Sequence, residues 1–159
     1  MSGQNLQQRE IKKVIVHCSA SMFGDVSVID EWHRERGWNG IGYHYVILNG
    51  IRKKGGEYQK ELDGTIERGR SIERIGAHCK GENQDSIGIC LIGMRFFSLE
   101  QIISLIGLCR DLMGKFEEIG PNDVYGHREF NSHKECPTFD IAFIRILLKL
   151  LSSGDLKNG

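Results

Sequence analysis

The apolar positions of this 159-residue chain change period from segment to segment, and those changes mark its elements. "KKVIVH" (12–17) is a short β-branched run that predicts a buried strand ending at His17. Ser27 and Asp30 have capping-box spacing, after which Ile29, Trp32, His33 and Arg36 share one helical face as far as Gly37. "GYHYVIL" (42–48) predicts a strand with Tyr43, Tyr45 and Ile47 on one side and His44 and Val46 on the other. A long polar connection over 49–63 leads to "GTIERG", the expected hairpin partner. "SIGICLIG" (86–93) predicts another buried strand.

Ser98 with Gln101 opens the most regular helix, in which Leu99, Ile102, Ile103, Ile106, Cys109, Leu112, Met113 and Phe116 keep helical period. "NDVYGH" predicts a short strand ending at His127. Asp140 then caps a last helix that turns Ile144, Leu147, Leu148 and Leu151 inward and stops at Gly154. Strands and helices alternate loosely, without repeat or linker. The expectation is a single α/β domain over 1–159 with a core from about residue 12 to 152, a central mixed sheet of about five strands and flanking helices.

Composition narrows the function classes. The 21 basic and 21 acidic residues balance, and no run alternates basic with aromatic residues, so a nucleic-acid partner is not expected. No stretch approaches a membrane span, and the polar N-terminus lacks a signal-peptide core; synthesis in the cytoplasm without membrane insertion is expected. Five cysteines without a CxxC pair argue against a disulfide framework and leave Cys as a candidate ligand or nucleophile.

The densest chemistry lies in "GHREFNSHKECPTFD" (126–140). A catalytic zinc takes three protein ligands from His, Cys or carboxylate and keeps a fourth position for water. Either His127 or His133 can pair with Cys136 here, and the segment needs a third ligand from elsewhere. His17 closes a buried strand, where an imidazole must find a partner. His127 also closes a strand. The two converge if those strands lie side by side in the same direction, at the rim where α/β sheets bind ligands. A cysteine hydrolase using His17 and Cys18 is disfavoured, because adjacent strand residues face opposite ways.

"VHCSAS", "GWNGIGYHYVI", "DGTIERGR", "GAHCKGEN", "SIGICLIG" and "GHRE…KECPTFD" follow one another in register from about residue 12 to about 150. Together they resemble the zinc N-acetylmuramoyl-L-alanine amidases, which share the fold of peptidoglycan recognition proteins, and especially the short single-domain amidases of T-odd phages. The resemblance implies one zinc held by His17, His127 and Cys136, passing over His133, with Tyr43 and Lys134 as catalytic residues. His78 and Asn83 match a segment lining the peptidoglycan groove, and Trp38 is expected at its wall. Where many cytosolic recycling amidases of this fold use a glutamate base, this chain has Cys90, which shifts that role toward Tyr43. Cys136 is a ligand that recognition-only members lack.

The expected function is therefore hydrolysis of the bond between N-acetylmuramic acid and L-alanine in peptidoglycan or muropeptides, as a phage or prophage lysin that acts on the cell wall after release. The alternatives are a cytosolic muropeptide-recycling amidase and a non-catalytic peptidoglycan-binding or regulatory protein. The 49–63 connection is longer than in phage relatives and would start about 17 Å from Tyr43 along a straight strand. It is expected to form a partner surface or extended hairpin and not part of the cleft.

Overall fold

The computed structural model describes residues 9–153. Its elements run β1 (Lys13–Cys18), α1 (Val26–Glu35), β2 (Tyr45–Asn49), β3 (Asp63–Arg68), β4 (Ser86–Leu91), α2 (Leu99–Lys115), β5 (Val124–Gly126) and α3 (Ile141–Ser152). The five strands form one mixed sheet in the order β3-β2-β4-β1-β5. β1, β2, β4 and β5 are parallel, and β3 returns antiparallel along the edge of β2. This is the single α/β sheet domain that the sequence predicts.

Both sheet faces are covered, as a parallel sheet requires. Val14, Val16, Ile47, Ile87, Ile89 and Leu91 pack against Leu105, Leu108 and Leu112 of α2 and Ile144 and Leu148 of α3. On the other face Val46, Leu48, Cys90 and Ile92 pack against Ile29 of α1. Each fully buried Ile or Leu contributes about 1.5–3 kcal/mol to holding these layers together.

The parallel pairing of β1 with β5 does more than close the core. Val16 is registered with Gly126, so the next residues on the two chains, His17 and His127, emerge side by side. On the opposite flank His17 is registered with Cys90. β1 continues one residue past His17, and His127 opens a short 3-10 turn (His127–Glu129) just after β5.

Several expectations are corrected. Asp25, not Ser27, caps α1: its carboxylate accepts from the Val28 N–H at 2.9 Å. Tyr43 precedes β2 and packs with Val46 and Leu48 on the α1 face, whereas Tyr45 and Ile47 pack on the other. The expected alternation breaks because regular pairing begins only at Tyr45. The capping box of α2 is present, but Leu99 and Ile103 are exposed and Gln101 is fully buried. Gln101 is tolerated there because its amide donates to the carbonyls of Ile47 and Ile92 at 3.2 and 2.8 Å. The predicted stop at Gly154 lies outside the described residues.

The 49–63 connection is tied to the start of α1. Gly24 N–H donates to Ile51 O at 2.9 Å, and Arg52 bridges the carboxylates of Asp25 and Glu67 at 2.8 and 3.1 Å.

Candidate active site

Two chain segments far apart in sequence converge at the end of β1. The ligand atoms of His17, His127 and Cys136 lie within 4.8 Å of one another, a set that could hold a metal ion. His17 Nδ1 and His127 Nδ1 are 3.1 Å apart. Cys136 Sγ accepts the Cys18 N–H at 2.9 Å. His133 is exposed, with its backbone N–H on Asn131 Oδ1, and takes no part in the group.

The loop that supplies two of these side chains is fastened internally. Arg128 N–H donates to Cys136 O at 2.8 Å, joining its two ends. The Gly126 N–H donates to Glu129 Oε2 at 2.7 Å, and Arg145 of α3 grips the Glu129 carboxylate with two nitrogens at 2.6 and 3.0 Å. Arg145 also donates to Val124 O at 2.7 Å, so α3 fixes both β5 and the His127 turn.

Behind His17 lies a chain of hydrogen bonds whose directions can be assigned. The Ser86 hydroxyl donates to Glu82 O at 2.6 Å, so toward His78 Nε2, 3.2 Å away, it can only accept. His78 therefore carries its proton on Nε2 and presents a bare Nδ1 to His17 Nε2 at 2.9 Å. His17 in turn is protonated on Nε2, which leaves its Nδ1 lone pair facing His127 and Cys136. The His78 ring lies against Gly88, where a Cβ would stand 2.5 Å from His78 Cδ2. Asn83 Oδ1 accepts the N–H groups of both His78 and Cys79 at 2.9 Å.

Burial keeps the imidazoles neutral. His17 is held well below the ordinary histidine value by burial, then by His78 and His127. His78 is lowered to about 3, mainly by burial, and His127 is lowered by burial and by Lys134. The Tyr43 phenol is pushed well above its usual value, first by burial and then by the neighbouring thiols; its ring centroid is 5.0 Å from that of His17. Without metal, the Cys18 thiol and burial hold Cys136 high, while hydrogen bonding to Cys136 lowers Cys18. A bound cation reverses this at Cys136, since a coordinating thiol is deprotonated outright.

Of this group His127 lines a cleft of about 590 Å³, whose walls also include Trp38, His78, Asn83 and Lys134. Trp38 is 41% exposed and rests on His33, with ring centroids 4.6 Å apart. Its walls include no residue of the 49–63 connection. No local pattern in the chain marks Ser86 or the Glu129–Arg145 clamp, because each acts through side-chain contacts that only the folded backbone brings about.

The fold and site define an α/β sheet domain with two histidines and one cysteine placed so that they could hold a metal ion, next to a neutral tyrosine. The chain belongs to the N-acetylmuramoyl-L-alanine amidase family, whose model matches residues 7–139, and is accordingly an enzyme of peptidoglycan hydrolysis. It is 38% identical over 149 residues to an endolysin of Klebsiella phage KP32, covering 87% of each chain. It is 36% identical over 153 residues to the endolysin of Escherichia phage T7, covering 89% of this chain and 90% of that one. Among solved structures it is similar to the N-acetylmuramoyl-L-alanine amidase LysC from Clostridium intestinale URNW, with a TM-score of 0.74, 30% identity, and coverage of 89% and 87% of the two chains.

Proposed function

We propose that the family's reaction is carried out here with one zinc ion held by His17, His127 and Cys136, and that the protein serves as a phage endolysin. The observation that carries the reading is the convergence of these three donors within 4.8 Å, at the cleft lined by Lys134. The donor set fits zinc. Bonds of 2.0–2.1 Å in a tetrahedral site place two nitrogens about 3.3 Å apart, and the two Nδ1 atoms are already 3.1 Å apart. Two neutral imidazoles and one thiolate form a closed triad of the kind that leaves the fourth position open.

Zinc so held supplies Lewis acidity and lowers the pKa of water toward about 7. The chain's own groups supply the rest. Tyr43, a neutral phenol at working pH, accepts a hydrogen bond from the attacking water and relays its proton toward the leaving amine. Lys134, exposed on the cleft wall, stabilises the oxyanion that develops on the muramoyl carbonyl. The amide C–N bond then breaks, giving a lactyl carboxylate and the free amine of L-alanine. Trp38 provides an apolar wall for the sugar. His78 commits both ring nitrogens inside the protein, and Asn83 commits its Oδ1, so they shape the groove more than they bind through it.

The endolysin role is supported by endolysin relatives that match this chain over most of both lengths. The test is metal analysis joined to mass spectrometry of digested peptidoglycan. Stoichiometric zinc and release of stem peptides with free L-alanine amines are expected, with loss on chelation and recovery on adding zinc. Binding to peptidoglycan without release of stems would establish the non-catalytic alternative instead.

A further inference from the structure

The cleft beside the metal-binding group carries a one-signed charge. Its walls include Arg36, Lys80 and Lys134 and not a single carboxylate. The whole chain has 21 basic and 21 acidic residues, so this segregation does not come from composition. An adjoining hollow of about 460 Å³ shares Lys134 and adds Arg95 and Arg128 against one acid, Glu135.

The three cations of the first cleft are also uncommitted. Other arginines are paired, as Arg34 is with Asp30, Arg52 with Asp25 and Glu67, Arg128 with Asp140 and Arg145 with Glu129. The side chains of Arg36, Lys80 and Lys134 are exposed and make no ion pair or hydrogen bond among the described residues. All three line the same cleft as His127. Lys80 comes from the 76–83 loop that also carries His78. Cations gathered in a concave site without counter-charges focus their field and attract anions.

With Lys134 assigned to the developing oxyanion, two cations remain for the part of the substrate that does not react. We propose that Arg36 and Lys80 form a carboxylate-reading subsite, so that the enzyme prefers stem peptides with free carboxylates over the same stems with those groups amidated. The inference rests on the amidase reading above and specifies the substrate within it. A neutral carboxamide keeps the shape and hydrogen-bonding capacity of the stem but loses the attraction. Binding energy on this remote part of the substrate then separates the two stems.

The test uses the zinc-loaded protein and two muramoyl peptides that differ only in a carboxylate or a carboxamide at the isoglutamate position. The acidic stem is expected to be favoured about tenfold in kcat/KM, each cation contributing about three- to fivefold. Arg36→Gln and Lys80→Gln should each narrow that ratio through KM, Arg36→Lys should restore part of it, and added salt should compress it. Equal kcat/KM for the two stems, or variants that slow both equally, would overturn the subsite. So would tighter binding of a duplex oligonucleotide than of the acidic stem, which would mark a phosphate surface. Calorimetric titration of the same pair reads the preference without hydrolysis. A preference in binding with no cleavage of either stem would therefore count against the reaction and not against the subsite.

Discussion

His17 Nε2 and His78 Nδ1 are 2.9 Å apart, and the proton between them belongs to His17. The assignment follows from Ser86, whose hydroxyl is already committed to Glu82 O and forces the His78 proton onto Nε2. His78 is thus the acceptor that orients the His17 ring and fixes which nitrogen faces His127 and Cys136. Removing such a partner typically weakens metal affinity 10–100-fold. His78→Ala should therefore raise the zinc dissociation constant by about that factor, read by competition with a chromophoric chelator. Unchanged zinc affinity would show that the ring holds its orientation by packing alone.

Zinc should also stabilise the fold, because its donors are brought together only in the folded chain. Free zinc at about 100 times its dissociation constant would add about 2.7 kcal/mol to unfolding free energy. His127→Ala should abolish this increment and His133→Ala should keep it, as measured by urea unfolding with and without zinc. The reverse result would move the ligand to His133.

Tyr43→Phe should leave zinc binding intact and lower kcat by about 10²–10⁴-fold, the usual range for a proton-transferring group. Because the phenol is held well above its ordinary value, an alkaline fall in rate below pH 10 would arise from another group. Wild-type kcat followed to pH 10, beside zinc content of the variant, checks both points.

The clamp between Arg145 and Glu129 should contribute to stability and be sensitive to acid. Burial raises the Glu129 carboxyl, but Arg145 and the Gly126 N–H outweigh it and hold it below its ordinary value. A group depressed in the folded state stabilises above its unfolded value, here about 4.3, and loses that contribution as pH falls through its folded value. Glu129→Gln should cost about 0.5–1 kcal/mol at pH 7, the range for a solvent-screened ion pair, and flatten the dependence of stability on pH below about 4.5. Denaturant unfolding from pH 3 to 7 measures both; a variant that keeps the wild-type acid slope would refute the assignment.

Much of this architecture can be read from the chain. The β-branched run at 12–17, the Ser98–Gln101 capping box and the Asp140 cap mark elements by local chemistry, and each forms. The condition set for two strand-end histidines to meet, parallel neighbours, is met by β1 and β5. What stayed hidden was decided across the fold. Ser27 has the right spacing to cap α1, yet Asp25 does so, braced by Arg52 from the far side of β2. Helical period alone could not show that Gln101 would displace Leu99 and Ile103 from the core, because its partners are carbonyls of β2 and of the residue after β4. Nothing near residue 86 announces that Ser86 sets the tautomer of a histidine eight residues earlier and, through it, of His17.

The pairing of β1 with both β4 and β5 has a consequence for how the protein matures. β1 is made before both of its neighbours, and one of its flanks stays unpaired until residue 124 has been made. Two of the three residues proposed to hold zinc follow only at 127 and 136. A nascent chain halted before Cys136 could build most of the sheet and would still lack that donor set. On the proposed ligand set, such a truncated product would be inactive without any inhibitor.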